Sequence, residues 1–344
     1  MSKILILGGT GAMGIYLTEE LKKTNHEVFV TSRSSHENCG NIRYIQGDAK
    51  DCSFLFPLLE QKFDCIVDFM IYNTFEFVDR YRKILSCCRQ YIFSSTYRVY
   101  ADNGLEPINE NSPKLLDVST DKTYLKTDEY ALTKARQENL LRESGMKNWT
   151  IIRPSITFSK KRFQLGTLEA GVILPLARKK CPVILPAEML DKYSAVSWGG
   201  YTAKMIAALI LNPEAFGEAF NVCSSEMLTW KDVASYYHTL TELTVFPVSL
   251  DEYIKVIGGK YQVMYDRMYN RIMDNSKILN LMGLTPKDLL PAKDALALEL
   301  ADLEQKFSDV SPDKKRCKRI RRFLRRYLWR HPIKYMQNLK KAAL

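Results

Sequence analysis

The sequence predicts an α/β fold in which a doubly wound parallel sheet is followed by a smaller C-terminal domain and a basic helical tail. Three observations support this prediction. Short apolar runs alternate with helical patterns through the first half of the chain, as in a sheet with crossover helices. Several of these runs, such as residues 4–7, are unbroken, as expected for strands covered on both faces. A glycine-rich turn at residues 8–14 joins the first strand directly to the first helix.

Taken in order, the first half contains six strand-like runs separated by helical ones. Strands are predicted at residues 4–7, 27–31, 43–45, 64–68, 91–94 and 149–153. Helices are predicted at about residues 12–23, 51–61, 75–86 and 127–144. A polar loop at about residues 101–122 is long enough to be a functional lid or an insertion.

The second half of the chain is less regular. Helices are predicted near residues 168–179, 200–211 and 230–240, and short strands at 183–185 and 219–223. We therefore divide the chain into three parts. Residues 1–155 form the sheet domain and include the helix at 127–144, residues 156–312 form mainly a smaller substrate-binding domain with some segments returning to the sheet, and residues 313–344 form the tail.

The composition is that of an ordinary folded protein and excludes several classes. Of the 344 residues, 46% are hydrophobic and 26% are charged, and no apolar run approaches the roughly 20 residues of a membrane span. The chain opens with a strand and a glycine turn rather than an apolar signal segment, so we expect a cytoplasmic protein. The eight cysteines and four histidines are dispersed, which predicts reduced cysteines and no metal site.

The net charge of +11 comes from one end of the chain. Residues 314–344 contain thirteen Lys or Arg and no Asp or Glu, so the other 313 residues hold 37 basic and 39 acidic side chains. A body with a net charge of −2 argues against a protein whose whole surface binds nucleic acid.

The turn after the first strand has the glycine spacing of a dinucleotide site. Gly8, Gly11 and Gly14 would allow a tight turn, a close approach of backbone to a pyrophosphate, and close packing of the helix on the strand. Its place between a strand and a helix is the context that such a motif requires. The residues predicted to contact a cofactor here are Gly8, Thr10, Gly11, Ala12, Met13 and Gly14. We therefore predict a Rossmann sheet with a bound dinucleotide.

The residues at the end of the second strand indicate which dinucleotide cofactor the site would prefer. An acidic residue there would bind the ribose 2′-hydroxyl of NAD(H), but Ser32 and Arg33 stand in its place and suit a 2′-phosphate. This favours NADP(H), with NAD(H) as the alternative if Arg33 is only a surface residue. Asp48, after the third strand, is placed to meet the adenine amino group, or it is an ordinary turn residue.

Tyr130 and Lys134 are four residues apart on a predicted helix, so their side chains project from the same face. A free tyrosine has a pKa of about 10, and a nearby ammonium group moves that pKa toward the neutral range. Such a pair is common on helices, but its position after a nucleotide-binding half favours acid/base chemistry.

These motifs together resemble the extended short-chain dehydrogenase/reductase superfamily, in its nucleotide-sugar epimerase, dehydratase and reductase branch. The resemblance covers roughly residues 3–290 and rests on residues 8–14, Gly47-Asp48, residues 91–100, residues 130–134 with Glu138, Ile152-Arg153-Pro154 and Asn275-Ser276-Lys277. It implies that Tyr130 is the acid/base, that Lys134 holds the nicotinamide ribose and lowers the Tyr130 pKa, and that Thr96 orients the substrate oxygen.

The resemblance also implies substrate contacts. Ser95 lies beside Thr96, and Arg153 begins the segment that leads to the substrate pocket. Arg267 or Arg271 would face the substrate diphosphate, or would be a solvated helix charge. Members of this superfamily are often dimers, so a homodimer is expected from the resemblance.

Two departures from the family pattern bear on the reaction. Dehydratases of this branch carry an Asp-Glu pair directly after the catalytic threonine, whereas Tyr97 and Arg98 stand here, so we do not expect 4,6-dehydration. Residues 68–70 are Asp-Phe-Met rather than the usual His-x-Ala, which marks a divergent member.

The function predicted first is the NADPH-dependent reduction of a keto group on a nucleotide-linked sugar, with the proton supplied by Tyr130. A nucleotide-sugar epimerase that retains NAD is the alternative. A cofactor-sensing or RNA-binding protein that is not an enzyme is the second alternative.

The basic tail carries an apolar stripe. Ile320, Phe323, Leu324, Tyr327 and Leu328 recur with the spacing of one helix face, and arginines surround them. The stripe predicts either a helix lying on an anionic membrane surface, with residues 314–341 as the contact, or a helix packed on the body or on a partner subunit. No RNA-binding module accompanies it, so nucleic acid is not an expected partner.

Overall fold

The computed structural model describes residues 1–342, with side chains described as far as residue 337, so the last two residues of the predicted tail lie outside the described part. Within it, the strands are β1 Lys3–Leu7, β2 Glu27–Ser32, β3 Ile42–Gln46, β4 Phe63–Asp68, β5 Cys88–Ser94, β6 Trp149–Ile152, β7 Ile156–Phe158, β8 Gln164–Leu165, β9 Leu168–Glu169, β10 Val183–Pro186, β11 Tyr193–Ser194, β12 Val196–Trp198, β13 Glu218–Phe220, β14 Leu228–Thr229 and β15 Val245–Val248. The helices are α1 Gly14–Leu21, α2 Cys52–Leu59, α3 Thr74–Val78, α4 Tyr81–Ser86, α5 Leu115–Val118, α6 Lys122–Leu125, α7 Tyr130–Arg142, α8 Ala170–Arg178, α9 Gly199–Leu209, α10 Trp230–Thr241, α11 Leu250–Ile257, α12 Lys260–Gln262, α13 Ser276–Met282, α14 Ala292–Glu299, α15 Leu303–Asp309, α16 Lys314–Arg330 and α17 Pro332–Ala342.

Seven of these strands form one parallel sheet in the order β3-β2-β1-β4-β5-β6-β13. After β3 the chain crosses to the other side of β1 and adds β4, so the direction of strand addition reverses there. In doubly wound sheets, ligands bind outside the carboxyl ends of the strands at this reversal. The predicted α/β fold is confirmed, and the glycine turn follows β1 at the reversal point.

Both faces of the sheet are covered by helices. Successive residues of β1 enter different cores: Ile4 packs with α1, α9 and α13, and Leu5 packs with α2, α4 and α7. Both side chains are fully buried. This burial on both faces explains why residues 4–7 form an unbroken apolar run in the sequence.

The last strand of the sheet comes from the second half of the chain. β13 pairs in parallel with β6, with Ala219 opposite Ile151. Helix α9, also from the second half, packs its buried Tyr201 and Ile206 into the core that α1 shares. The second half therefore completes the sheet as well as forming a separate lobe.

That lobe contains four two-stranded pairs, β7 with β12, β8 with β9, β10 with β15 and β11 with β14. Helices α8, α10, α11 and α16 contribute to its apolar core, in which Trp230, Tyr253 and Ile320 are buried. No helix in the described part of the chain is long and apolar enough to cross a membrane.

The helix predicted at residues 75–86 is two helices in the structure, α3 and α4, separated at Arg80. The Arg80 side chain is buried, its Nη1 donates to the Lys50 carbonyl oxygen at 3.1 Å, and its guanidinium lies 4.4 Å from the Tyr72 ring centroid. Because the backbone at Arg80 leaves the helical region, with φ −129°, a continuous helix cannot form there.

Candidate active site

The glycine turn forms a close-packed support at the N-terminus of α1. Gly8 has a φ of +74°, and its N–H donates to Thr31 Oγ1 at 3.0 Å. A Cβ on Gly14 would lie 2.5 Å from the Gly9 carbonyl oxygen, so no side chain fits there. The turn therefore needs glycine at both positions, as the sequence predicted for a site where phosphates meet backbone.

A cavity of about 480 Å³ connects this turn with the predicted catalytic residues. At one end its wall is formed by Gly8, Gly11, Ala12, Met13 and Gly14, and at the other by Ser95, Thr96, Tyr130 and Lys134. Thr10 is half-buried on the same turn. The small residues and the space beside them suit a dinucleotide lying across the carboxyl ends of β1 and β4.

The end of β2 carries hydroxyl and basic groups. Ser32 is buried, and its Oγ accepts from the Ser34 N–H at 3.2 Å and lies 3.1 Å from His36 Nε2. Arg33 and His36 are exposed. His36 was not predicted as a site residue from the sequence. The only sequence feature that could have indicated it is its position four residues after Ser32.

Asp48 is exposed, and its Oδ1 accepts from the Lys50 N–H at 2.9 Å. That contact forms an ordinary Asx turn before α2. The turn-residue alternative for Asp48 thus describes its observed contact, and its role toward an adenine stays a prediction.

Tyr130 is the first residue of α7, and Glu129 caps this helix by accepting from the Ala131 N–H at 2.8 Å. One turn later, Lys134 is 1% exposed, with its Nζ 3.4 Å from the Met70 carbonyl oxygen and 4.4 Å from the Phe93 ring centroid. The structure thus brings both members of the pair into the cavity wall on the same side of the helix.

Burial and neighbouring charges set the protonation of this pair. Burial raises the pKa of Tyr130, while the charges of Arg98 and Arg162 and the Thr96 hydroxyl lower it by less. Burial also lowers the pKa of Lys134 to about 8, against the raising effect of the Asp68 carboxyl. The cations that do most to lower the Tyr130 pKa are therefore arginines, whereas the sequence assigned that role to Lys134.

Asp68 ends β4 beneath this pair. It is fully buried, and it accepts from the Met70 N–H and the Tyr91 hydroxyl, both at 2.8 Å. Burial raises the pKa of this carboxyl, and those two hydrogen bonds and the Lys134 charge counteract the rise. Residues 68–70 differ from the His-x-Ala pattern of the family, and the structure shows that this difference places the acidic Asp68 next to Lys134.

Thr96 and Ser95 follow β5 and line the cavity. Thr96 Oγ1 accepts from the Arg98 N–H at 3.3 Å and caps the short turn of residues 97–99. The Ser95 hydroxyl donates to Glu138 Oε1 at 2.6 Å. Of the two, Thr96 is the hydroxyl on the Tyr130 side, since it is the one that affects the Tyr130 pKa.

Arg153, predicted from the resemblance to contact a substrate, is not among the residues of the cavity wall, although the next residue, Pro154, is. Arg153 is 0% exposed, its Nε and Nη2 donate to the two oxygens of Glu138 at 2.9 and 2.7 Å, and its Nη1 donates to the Tyr100 hydroxyl at 2.7 Å. Burial alone would raise the pKa of Glu138, but the Arg153 charge lowers it to about 2. This bidentate pair links α7 to the residue that follows β6, and the same carboxylate accepts from the Ser95 hydroxyl.

A second buried ionic cluster centres on Asp266, in the turn Val263–Arg267. Its carboxylate contacts three arginines: Arg267 most closely, Arg271 Nε at 3.0 Å and Arg98 Nε at 3.5 Å. Arg98 also pairs with Glu129 at 2.5 Å. Three guanidinium groups share two carboxylates, so the cluster keeps one positive charge in excess.

The members of this cluster differ in their access to the cavity. Arg98 and Arg267 are part of its wall. Arg271 is 3% exposed and donates to the carbonyl oxygens of Tyr100 and Ala101 at 3.1 and 3.0 Å, so it supports the wall rather than facing a ligand. Both arginines singled out from the sequence, Arg267 and Arg271, are buried rather than solvated, and the contact of Arg267 with a substrate diphosphate stays a prediction. Arg98 was noted only as a departure from the dehydratase pattern.

The NAD dependent epimerase/dehydratase family model matches residues 4–192, more than half of the chain. The dTDP-D-glucose 4,6-dehydratase of Dictyostelium discoideum is 24% identical over 273 residues, with 68% of this chain and 61% of that protein covered. The chloroplast stem-loop binding protein of 41 kDa b of Arabidopsis thaliana is 25% identical over 257 residues, with 67% and 61% covered. The chain therefore spans 61% of the length of each of these two relatives.

The chain is also similar to solved protein structures. The dTDP-glucose 4,6-dehydratase from Bacillus anthracis, in complex with NAD, has a TM-score of 0.68 at 15% identity. The match covers 89% of this chain and 97% of that one. At this level of identity the likeness shows a shared fold.

Proposed function

The chain belongs to the NAD dependent epimerase/dehydratase family, of the extended short-chain dehydrogenase/reductase type, and we propose that it reduces a keto group on a nucleotide-linked sugar with NADPH. The observation that carries this proposal is the single cavity that joins the glycine turn to Thr96, Tyr130 and Lys134. Hydride transfer between a nicotinamide and a keto carbon requires a bound dinucleotide and an acid/base residue close to the carbonyl oxygen. One cavity with the glycine turn and Tyr130 in its wall could provide both.

A bound nicotinamide cofactor would supply the hydride that reduces the keto carbon. Tyr130 donates the proton to the developing alkoxide, because burial raises its pKa and keeps the phenol protonated at neutral pH. Thr96 holds the same oxygen through its hydroxyl. Lys134, with a pKa of about 8, remains mostly charged at neutral pH and can donate to the hydroxyls of the cofactor ribose.

The residues after Thr96 argue against 4,6-dehydration, the reaction named for one relative. The Tyr97 hydroxyl donates to Asp266 Oδ2 at 2.8 Å and accepts from Arg267 Nη1 at 2.8 Å, so it is occupied in the buried cluster. Arg98 carries a permanent positive charge. Neither residue can act as the carboxyl pair that protonates a leaving hydroxyl and removes the neighbouring proton.

The charge of the cavity supports an anionic substrate. Arg98, Arg162, Arg267 and Lys134 lie in its wall. Glu169 pairs with Arg162 at 3.3 Å, and the Asp266 cluster that contains Arg98 and Arg267 keeps one positive charge in excess. A nucleotide diphosphate would complement this excess of positive charge. We propose that residues 1–155 hold the cofactor and that residues 156–312, which supply Arg162 and Arg267, hold the nucleotide and sugar.

NAD-dependent epimerisation of a nucleotide-linked sugar is the second candidate. It is favoured by the family that the chain belongs to and by the NAD complex of the similar dehydratase structure. The same residues would serve both reactions. We place reduction first because Ser32, Arg33 and His36 present hydroxyl and basic groups where a 2′-phosphate would lie.

Mass spectrometry of the small molecules released on denaturing the purified protein distinguishes the two candidates. Recovery of NADP(H) is the expected result, and it should be followed by NADPH consumption in the presence of nucleotide keto-sugars. Tightly held NAD at one equivalent per chain would overturn the reductase proposal and favour the epimerase.

Tyr130→Phe tests the assigned acid. We expect turnover to fall by about 10²- to 10⁴-fold with cofactor affinity unchanged, because general acid catalysis contributes about that much. Tyr81→Phe is the matched control, since Tyr81 is buried against Phe77 outside the cavity. Full activity of Tyr130→Phe, or RNA binding with no turnover in the parent protein, would contradict the mechanism.

A further inference from the structure

One side of α16, its inner side, packs against the rest of the protein. Cys317, Ile320 and Leu324 are buried in the core of the C-terminal lobe, and Tyr327 packs at 5.2 Å from the Phe246 ring. Four of the five stripe residues therefore pack on the body, which is one of the two alternatives predicted from the sequence, and Leu328 is 41% exposed. A surface that α16 presents outward must consist of other residues.

The outward side of α16 is a basic stripe that ends in a tryptophan. Lys315, Lys318, Arg322, Arg325 and Trp329 recur at intervals of three and four residues, opposite the buried side, and all are exposed. Trp329 is 84% exposed. A largely exposed tryptophan beside cations, on a helix whose opposite side is buried, indicates an interaction surface.

The chain adds further apolar side chains directly after this stripe. α16 ends at Arg330, α17 begins at Pro332, and in α17 Ile333 is 76% and Met336 54% exposed. We refer to Lys315, Lys318, Arg322, Arg325, Trp329, Ile333 and Met336 as the tail surface. It combines a row of cations with a group of exposed apolar residues at one end.

The charge of this segment is not neutralised by the protein. Residues 314–344 contain thirteen basic residues and no acidic ones. Among the side chains described, the carboxylate partner of a basic residue in α16 is Asp313, which pairs with Arg316 at 3.7 Å. The cations of the tail surface are therefore available to an anionic partner.

We propose that the tail surface docks on an anionic lipid bilayer, with Trp329, Ile333 and Met336 entering the headgroup region and the lysines and arginines facing the lipid phosphates. Tryptophan prefers the membrane interface, and clustered basic residues bind negatively charged leaflets. Nucleic acid would use the cations but gives no reason for exposed Ile333 and Met336. Because the inner side of α16 stays packed, docking needs no unfolding of the tail.

Vesicle flotation with the full-length protein tests this proposal. Vesicles of phosphatidylcholine mixed equally with phosphatidylglycerol should bind the protein at low salt, and vesicles of phosphatidylcholine alone should not. Binding should fall as salt rises. The double variant Trp329→Ser/Ile333→Ser should bind about tenfold more weakly, and Arg322→Ser/Arg325→Ser should weaken binding by a similar factor.

Phe75→Ser is the matched control, because Phe75 is 82% exposed on α3, away from the tail. It should bind the mixed vesicles like the parent protein. The proposal is overturned if the parent protein does not float with mixed vesicles, or if Phe75→Ser weakens binding as much as the double variant. It is also overturned if the tail variants abolish self-association or binding to single-stranded RNA while vesicle binding stays unchanged.

Discussion

Replacing Glu138 with glutamine should destabilise the protein far more than any single exposed ion pair could. Glu138 and Arg153 are both 0% exposed, and two hydrogen bonds of 2.9 and 2.7 Å join them. Glutamine keeps the shape but leaves the Arg153 guanidinium as an unpaired buried charge. Breaking a buried pair from one side costs about 3 to 5 kcal/mol, so we expect the free energy of unfolding at neutral pH to fall by that amount.

The pH dependence of this loss gives an independent estimate. The Glu138 pKa is lowered from 4.5 to about 2 in the folded protein, which corresponds to roughly 3 kcal/mol. A lowered folded pKa stabilises the protein above the unfolded pKa of 4.5, and the effect is lost as the pH falls toward about 2. The difference between the parent protein and Glu138→Gln should therefore be largest near neutral pH and should shrink below about pH 4.

Urea unfolding followed by far-ultraviolet circular dichroism measures both quantities. Glu218→Gln is the matched control, because Glu218 pairs with Lys277 at 2.6 Å but its side chain is 51% exposed. That variant should lose at most about 1 kcal/mol. A Glu138→Gln loss below about 1 kcal/mol, or a loss that does not change between pH 7 and pH 3, would refute the assignment of this pair as a buried structural link.

Three further expectations concern the cavity. Gly14→Ala should abolish dinucleotide binding in a fluorescence titration, because its Cβ would lie 2.5 Å from the Gly9 carbonyl oxygen; undiminished affinity would contradict the role of the turn. Arg33→Ser should weaken NADPH binding by about tenfold without weakening NADH binding, and an equal effect on both would remove Arg33 from the 2′-phosphate site. Arg98→Gln should raise the Tyr130 pKa, and with it the pH midpoint of the oxidative reaction, because the Arg98 guanidinium lies 5.6 Å from the Tyr130 ring centroid and its charge lowers that pKa. Arg98→Lys should retain most of the parent pH profile, and an unchanged profile in Arg98→Gln would show that the arginine does not tune the phenol.

The sheet and the glycine turn were predictable because their signals are local. Residues 4–7 are an unbroken apolar run that leads directly into the glycine turn, and the structure places β1 and β2 within one residue of the predicted limits. The split at Arg80 was not predictable, since it depends on a contact with the Lys50 carbonyl oxygen thirty residues away. Local propensity alone favoured one continuous helix there.

The candidate site also contains residues that the sequence predicted and contacts that it did not. Tyr130 and Lys134 were identified because their spacing on one helix is visible in the sequence. The pairing of Arg98 and Asp266 joins residues 168 positions apart, so no pattern of spacing could show it. The buried ion pair between Arg153 and Glu138 was not predicted either, because the sequence alone does not show that these two residues meet in the fold.

The pairing of β13 with β6 has a consequence for how the protein is made. The lobe that contains the seven-stranded sheet is not a continuous piece of chain, because its sheet is completed by residues 218–220 and one of its cores includes Tyr201, Phe220 and Ile278. During synthesis, the first six strands emerge from the ribosome before the segment that covers the edge of β6 exists. Until then that edge keeps unpaired backbone groups, which are a template for pairing with other chains. The lobe that contains this sheet should therefore gain its full stability only after residues from the second half have joined it. A fragment that ends near residue 155, at the domain boundary predicted from the sequence, should aggregate rather than fold.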